Sequence, residues 1–325
     1  MPSPVARLRF PSSRALLPRT RLAYIHLRNL LTDAKRDRAA RISGYVAISF
    51  PDELVVLYLI AGEVANATVR DARGSRAIGI AQALEKVPPE PEYGEISFHE
   101  ADPEQLACMF ATQSLPPDPF PSELAPQDPA ALFPYLMSTV FDGVVEIVAN
   151  DAINYLIFRN GTVGRAFLSA SHHGTLVDRV AKLFAREGRI GELRVTRWGL
   201  PDPLPVQAPP ALVQAYRDLA AAIVDQLVAQ GRESAPAIAE HARTTLAPTH
   251  PALEAFSFSD SLQRESTVDT RRLTTDVAAW IRDMLWTAAD HDAVSPEALI
   301  RELTWDRRHM FQSAGLFDEL PWKVM

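Results

Sequence analysis

Residues 44–67, GYVAISFPDELVVLYLIAGEVANA, return about a hundred positions later as residues 143–166, GVVEIVANDAINYLIFRNGTVGRA. A single offset of 99 relates Gly44 to Gly143, Val46 to Val145, Ile48 to Ile147 and Asp52 to Asp151. The same offset relates Gly62 to Gly161, Val64 to Val163 and Ala67 to Ala166, with no gap inside either copy. Matches of residue type and spacing at this density mark a duplicated unit, and a repeat has to be recognised before any fold is assigned. The duplication speaks to architecture and very little to chemistry.

Each copy has the pattern of a three-stranded antiparallel meander. Val46, Ile48 and Phe50 alternate with Tyr45, Ala47 and Ser49, the period of a strand with one buried face. Pro51, Asp52 and Glu53 supply the first turn, with Asn150 and Asp151 at the same place in the second copy. Residues 54–60 are apolar on both faces, as a central strand should be. Gly62 and Gly161 fall where a hairpin needs positive φ. The third strand ends on small residues, Ala65 and Ala67 in one copy and Gly164 and Ala166 in the other, which leave room for a helix against the sheet.

Working outward, Gly74 marks a turn, and Ile78, Ala81, Leu84 and Val87 follow at helical spacing. A closing strand is expected from Gly94 through Phe98, and its counterpart runs from Gly191 through Val195 after a helical stretch at 175–186, so the offset there is 97. Asp102 to Thr112 has the length of a further short helix, and Leu22, Ile25, Leu27 and Leu30 or Leu31 mark another before the first meander. The proline-dense passages 114–129 and 200–210 read as linkers, since proline favours extended backbone and removes donors. Beyond them Leu212, Tyr216, Leu219, Ile223 and Leu227 form a helical stripe. Ile238, Ala242 and Leu246 suggest a second stripe, and Leu273, Val277, Trp280, Met284 and Leu285 a third. Ser295-Pro296-Glu297 begins a helix that Gly315 is placed to end. The expected fold class is α+β: two repeated units of antiparallel meander plus helices, followed by an all-helical C-terminal region. The expected divisions are a basic flexible arm at 1–20, units at 21–113 and 130–199, and a helical domain at 211–325.

Composition is that of an ordinary globular chain, 47% apolar with a mean hydropathy of −0.05, and no apolar run reaches the ~20 residues of a membrane-spanning helix. The single Cys108 excludes an internal disulfide framework and a thiolate zinc site, and points to the cytoplasm. Residues 1–41 carry a net charge of +8 within a total of −7, leaving −15 on the rest. Such an arm suits weak contact with an anionic partner, or simple solvation. Its Pro2, Pro4, Pro11 and Pro18 interrupt the amphipathic helix of a transit peptide.

Candidate catalytic and ligand-binding residues are few. None of HExxH, GxxxxGK[ST], GxSxG or a paired-cysteine motif occurs. Arg70-Asp71-Ala72-Arg73-Gly74-Ser75-Arg76 has the composition of a phosphate-binding loop ahead of a helix, so Arg70, Arg73 and Arg76 are candidate ligand-binding residues. His172 and His173 occupy the corresponding loop of the second copy. Asp290-His291-Asp292 and the run from His99 to Asp102 mix imidazole with carboxylate, but neighbours in sequence converge poorly on one ion and such runs suit polar turns and helix caps. Trp280, Trp286, Trp305 and Trp322 sit at spacings that suit a helical core better than a ligand cage.

The order of helix, Gly-x-Val/Leu-x-Ile, short turn, apolar strand, Gly-x-Val/Ile-x-x-Ala, helix and closing strand looks like the PATAN-like domain of bacterial signalling proteins. The resemblance covers about 22–110 and 130–198. It is carried by Gly44, Gly62, Val64, Ala67 and Gly94, and by Gly143, Gly161, Val163, Ala166 and Gly191. It implies a non-enzymatic signalling adaptor or scaffold without cofactors, meeting protein partners such as response-regulator receiver domains. No receiver domain lies in this chain, so that partner is expected in trans. The competing expectation is a small-ligand or nucleotide sensor, binding at the loops after the third strands.

Overall fold

The first regular element is a strand that the sequence reading did not anticipate. The computed structural model describes residues 8–36, 42–88, 91, 93–170, 174–185, 193–255, 267–288 and 295–323. Within them β1 (Arg14–Arg21) runs antiparallel to a later strand, which corrects the expectation of a loose arm through residue 20. Its arginines and central proline interrupt any apolar alternation, and its order comes from backbone pairing at a sheet edge together with Leu16 and Leu17 packed on the core. A 3-10 turn (Leu22–Tyr24) and α1 (Leu27–Arg36) lead into β2 (Gly44–Ser49), β3 (Leu54–Ile60) and β4 (Glu63–Asp71). There follow β5 (Gly74–Ile78), α2 (Ile80–Glu85), β6 (Glu95–Glu100) and α3 (Pro103–Ser114). The second copy comprises α4 (Pro129–Ser138), β7 (Gly143–Ala149), β8 (Ala152–Arg159), β9 (Thr162–Phe167), α5 (Leu176–Phe184) and β10 (Arg194–Gly199).

Two antiparallel sheets result, ordered β1-β6-β2-β3-β4-β5 and β10-β7-β8-β9. Their pairing registers coincide throughout at the offset of 99. Gly44 faces Leu59 as Gly143 faces Phe158, and Leu57 faces Ala67 as Leu156 faces Ala166. The bulge between Tyr58 and Leu59 has its counterpart between Ile157 and Phe158. The closing strands obey the same offset, since Ile48 faces Ile96 and Ile147 faces Val195. This corrects the slip to 97: matching glycine to glycine there misaligns the strands by two residues, and Gly191 itself lies outside the described residues.

The turns agree as well. Gly62 and Gly161 have φ of 84° and 73°, preceded by Ala61 and Asn160, both at φ 51°. The amide of Gly62 donates to Ile42 O at 2.8 Å and that of Gly161 to Phe141 O at 2.9 Å, again 99 residues apart. Asparagine tolerates the left-handed region and alanine does not. Replacing Ala61 by the second copy's asparagine is therefore expected to stabilise the chain by about 0.5–1 kcal/mol, read as a raised urea midpoint at unchanged slope.

The outer face of the larger sheet (Val46, Ile48, Val55, Leu57, Ala67, Ile96) packs with apolar residues of α1 and α2. That of the smaller sheet (Val145, Ile147, Leu156, Phe158) packs with α4 and α5. The inner faces share one core: Tyr45, Val56 and Tyr58 cluster with Val144, Tyr155 and Ile157 and with Leu106, Cys108 and Met109 of α3. α3 is buried around most of its circumference, as a helix enclosed on all sides must be. The two copies are thus joined by a common core, and residues Met1–Pro205 form one compact unit where separate modules were expected. Within the proline-rich passage Asp118 pairs with Arg197 across a β-bridge.

The second unit, Val206–Met325, is helical: α6 (Pro210–Ala229), α7 (Ala235–Leu246), α8 (Thr270–Ala288), α9 (Pro296–Leu303), α10 (Arg308–Ala314) and α11 (Leu316–Glu319). The expected stripes on α6 and α8 are buried in its core. Ser295 caps α9 through Ala298 N, but that helix ends at Leu303, and Gly315, at φ 83°, ends α10 instead. No helix among the described residues is long and apolar enough to cross a membrane.

Candidate functional site

The arginine-rich run expected as a loop before a helix is in fact the β4–β5 hairpin. Residues 74–78 pair with 67–71, because the small, polar GSRAI segment completes a sheet edge before the helical spacing begins. Asp71 closes this turn by accepting from Arg76 Nη1 at 3.1 Å, Arg76 Nη2 at 2.9 Å and the backbone N–H of Arg73 at 2.8 Å. Those bonds hold its carboxyl well below the usual carboxylate range. Arg76 is thereby tied within its own hairpin, whereas the Arg73 side chain is 82% exposed and, among the described residues, meets only Asp71 Oδ2, at 3.4 Å. His172, His173 and residues 290–292 lie outside the described residues.

Arg70 differs from its neighbours. On β4 it shares the inner face with Asn66 and Thr68, and burial lowers its pKa while the charge of Glu146 opposes that shift. Glu146 lies on β7 and is only 6% exposed, with Oε2 buried and lacking a hydrogen-bond partner. Desolvation raises its pKa, against the opposing influence of Arg70, Thr112, Arg194 and Tyr155. Directly across the ladder stands Tyr155, fully buried, its hydroxyl 3.3 Å from Thr112 Oγ1 on α3. Tyr58 OH and Thr68 Oγ1 pair at 3.1 Å in the same core, and burial pushes the nearby Cys108 thiol up to about 12. A thiol so held stays protonated and unreactive at neutral pH.

The duplicated register supplies an internal control for this cluster. The cross-strand pair Glu146–Tyr155 corresponds, residue for residue, to Ala47–Val56 in the first copy. The fold is therefore built equally well from two apolar side chains at these places, and the acid and phenol are additions peculiar to the second copy. Nothing in the sequence flagged them, since a polar residue alternating within a strand ordinarily faces water.

The run from His99 to Asp102 is divided between two elements. His99, on β6, stacks on Tyr45 with centroids 5.0 Å apart, and burial lowers its pKa. Asp102 caps α3 by accepting from Glu104 N at 2.9 Å and also accepts from Arg165 Nη2 at 2.7 Å. A second missed pair is His250 and Asp276, with Nδ1 and Oδ1 at 2.8 Å; Asp276 also accepts from Ala252 N at 3.0 Å, which makes it a brace between α8 and the preceding turn. Among the described residues no group of three or more histidine, cysteine or acidic side chains is placed to hold a metal.

Two surface features complete the inventory. β9 is the outermost strand of its sheet among the described residues, whereas its counterpart β4 is covered by β5. Of the tryptophans, Trp280 is buried as expected, but Trp286 is 58% and Trp305 69% exposed, because both lie on the solvent side of the helical stripes. No family model, curated protein or solved structure matches the chain.

Proposed function

We propose that the chain is a protein-binding adaptor whose duplicated α+β unit offers an open sheet edge to an extended segment of a partner. The observation that carries this reading is the contrast between the copies: β4 takes β5 along its flank over Ala67–Asp71, while the equivalent strand β9 has no neighbour on that side among the described residues. An unpaired edge is a template for another strand, with backbone bonds giving affinity and alternate side chains giving selectivity. The setting implied by the PATAN-like resemblance is bacterial signalling in the cytoplasm, with a receiver domain as one candidate partner.

Gly164, on β9, gives the test. A Cβ built there meets nothing closer than 3.6 Å, so a lysine is accommodated while placing charge on the edge. Cross-linked pull-downs with the intact chain are expected to capture a reproducible partner, and Gly164→Lys is expected to lose it with an unchanged melting temperature. Failure to capture any protein, or equal capture by the variant, contradicts the edge reading.

Ligand sensing, the competing reading, retains one supporting observation. The charges of Arg70, on the larger sheet, and Arg194, on the smaller, both oppose the rise in the pKa of the buried Glu146. Thermal shifts with a nucleotide panel that vanish in Arg70→Ala would favour it over the adaptor.

A further inference from the structure

The helical unit carries a surface feature with a defined chemistry. Ala298, Arg301, Glu302, Trp305 and Asp306 line a recess of 440 Å³ along the solvent side of α9 and the turn that follows it. Ala298, Arg301 and Glu302 share one face of α9, and Trp305 and Asp306 follow on the 3-10 turn (Trp305–Arg307) just beyond its end. Arg301 is tied to Glu297 one turn earlier, at 2.5 Å, which offsets its charge and leaves the recess with the net negative charge of Glu302 and Asp306. Between them the Trp305 indole is largely open to solvent.

A lone exposed tryptophan is ordinary; the surroundings of Trp305 set it apart. This chain repeatedly lays a guanidinium over an aromatic ring: Arg197 over Phe120 at 4.9 Å, Arg165 over Phe167 at 5.0 Å, Arg308 over Phe317 at 5.3 Å and Arg282 over Trp286 at 5.5 Å. Trp305 has no such cation among the described residues, yet indole is the strongest of these ring acceptors. An uncovered indole flanked by two carboxylates complements a planar cation that can stack and donate hydrogen bonds in its own plane.

We propose that this recess docks an arginine side chain from an extended segment of a partner protein, the guanidinium stacked on Trp305 and held by Glu302 and Asp306. The site stands on different residues from the β9 edge and does not depend on it.

The test uses the full chain labelled with fluorinated tryptophan, the Trp305 resonance being the one lost in Trp305→Phe. Titration with the capped peptide Gly-Arg-Gly at low salt is expected to shift that resonance saturably. The matching lysine peptide should bind roughly 3-fold more weakly, since an ammonium cannot stack and chelate at once, and the uncharged citrulline peptide should not bind. In the Glu302→Gln, Asp306→Asn double variant affinity is expected to fall about 5-fold or more, and added salt should weaken the wild-type response. Trp305 is mostly exposed, so Trp305→Ala should keep the wild-type melting temperature while losing calorimetrically detected binding. Equal binding of citrulline, full affinity in the charge-neutralised variant, or absence of a saturable shift at Trp305 each overturns the proposal.

Discussion

Replacing Gly143 by alanine is expected to destabilise the first unit by about 2–4 kcal/mol, and Gly44→Ala to do the same at the equivalent place. A Cβ at Gly143 would overlap the carbonyl oxygen of Trp198 and the ring edge of Phe141, and one at Gly44 would overlap the carbonyl oxygen of His99. In both copies the obstacle is backbone of the closing strand, which a side-chain rotation cannot relieve. Both first strands also feed the shared inner core through Tyr45 and Val144, so either substitution should lower one cooperative transition. Gly164→Ala is the control, with ordinary van der Waals room around its new methyl and an expected change within about 0.5 kcal/mol. Urea unfolding of the three variants checks the expectation. A neutral Gly143→Ala would mean that the closing strand does not pass where β10 is placed.

The second large effect concerns Glu146. Its folded-state pKa is raised by burial, so the favourable protonated state is fully present below the unfolded carboxylate range and stability falls as pH climbs through the folded value. Glu146→Gln removes the titration while keeping a side chain of the same shape that can still bond Thr112 or Tyr155. The variant is expected to match wild type near pH 4 and to exceed it near pH 7.5 by on the order of 1–3 kcal/mol, the usual cost of a buried polar group left without a partner. The gain should open progressively between those values. Denaturation across that range is the measurement. If the variant is instead less stable at neutral pH, Glu146 is ionised there and held by Arg70 and Arg194. Because the first copy has Ala47 at this position, a stability gain would also show that the fold carries Glu146 at a cost, which is the usual mark of a residue kept for function.

Much of this architecture was legible in the sequence for a definite reason. Strands with one buried face, turn residues that require positive φ and a repeat with no internal gap are all local signals, and residues 44–67 and 143–166 display all of them. The features that escaped are those set by distant partners. β1 and β5 are edge strands without apolar alternation, and their order comes from pairing with β6 and β4. The closing strand of the second copy was misplaced by two residues because glycines were aligned, whereas pairing follows which side chains enter the core. The shared inner core was invisible because each meander could be imagined covered by its own helices alone. Glu146 and Tyr155 escaped for the same reason, since only the stacking of one sheet on the other buries them. Of the described candidate site residues, Arg76 is bound to Asp71 within its hairpin, Arg73 keeps a largely exposed side chain, and Arg70 is part-buried with its charge acting on Glu146.

The fore and middle segments share one strand register, closing strands included. Amide–amide nuclear Overhauser effects in the deuterated chain report which residues stand opposite one another. Cross-peaks are expected between Ala47 and Ser97 and, 99 residues on, between Glu146 and Thr196. A cross-peak from Glu146 to Arg194 in place of Thr196, or pairing in only one of the two segments, would contradict it.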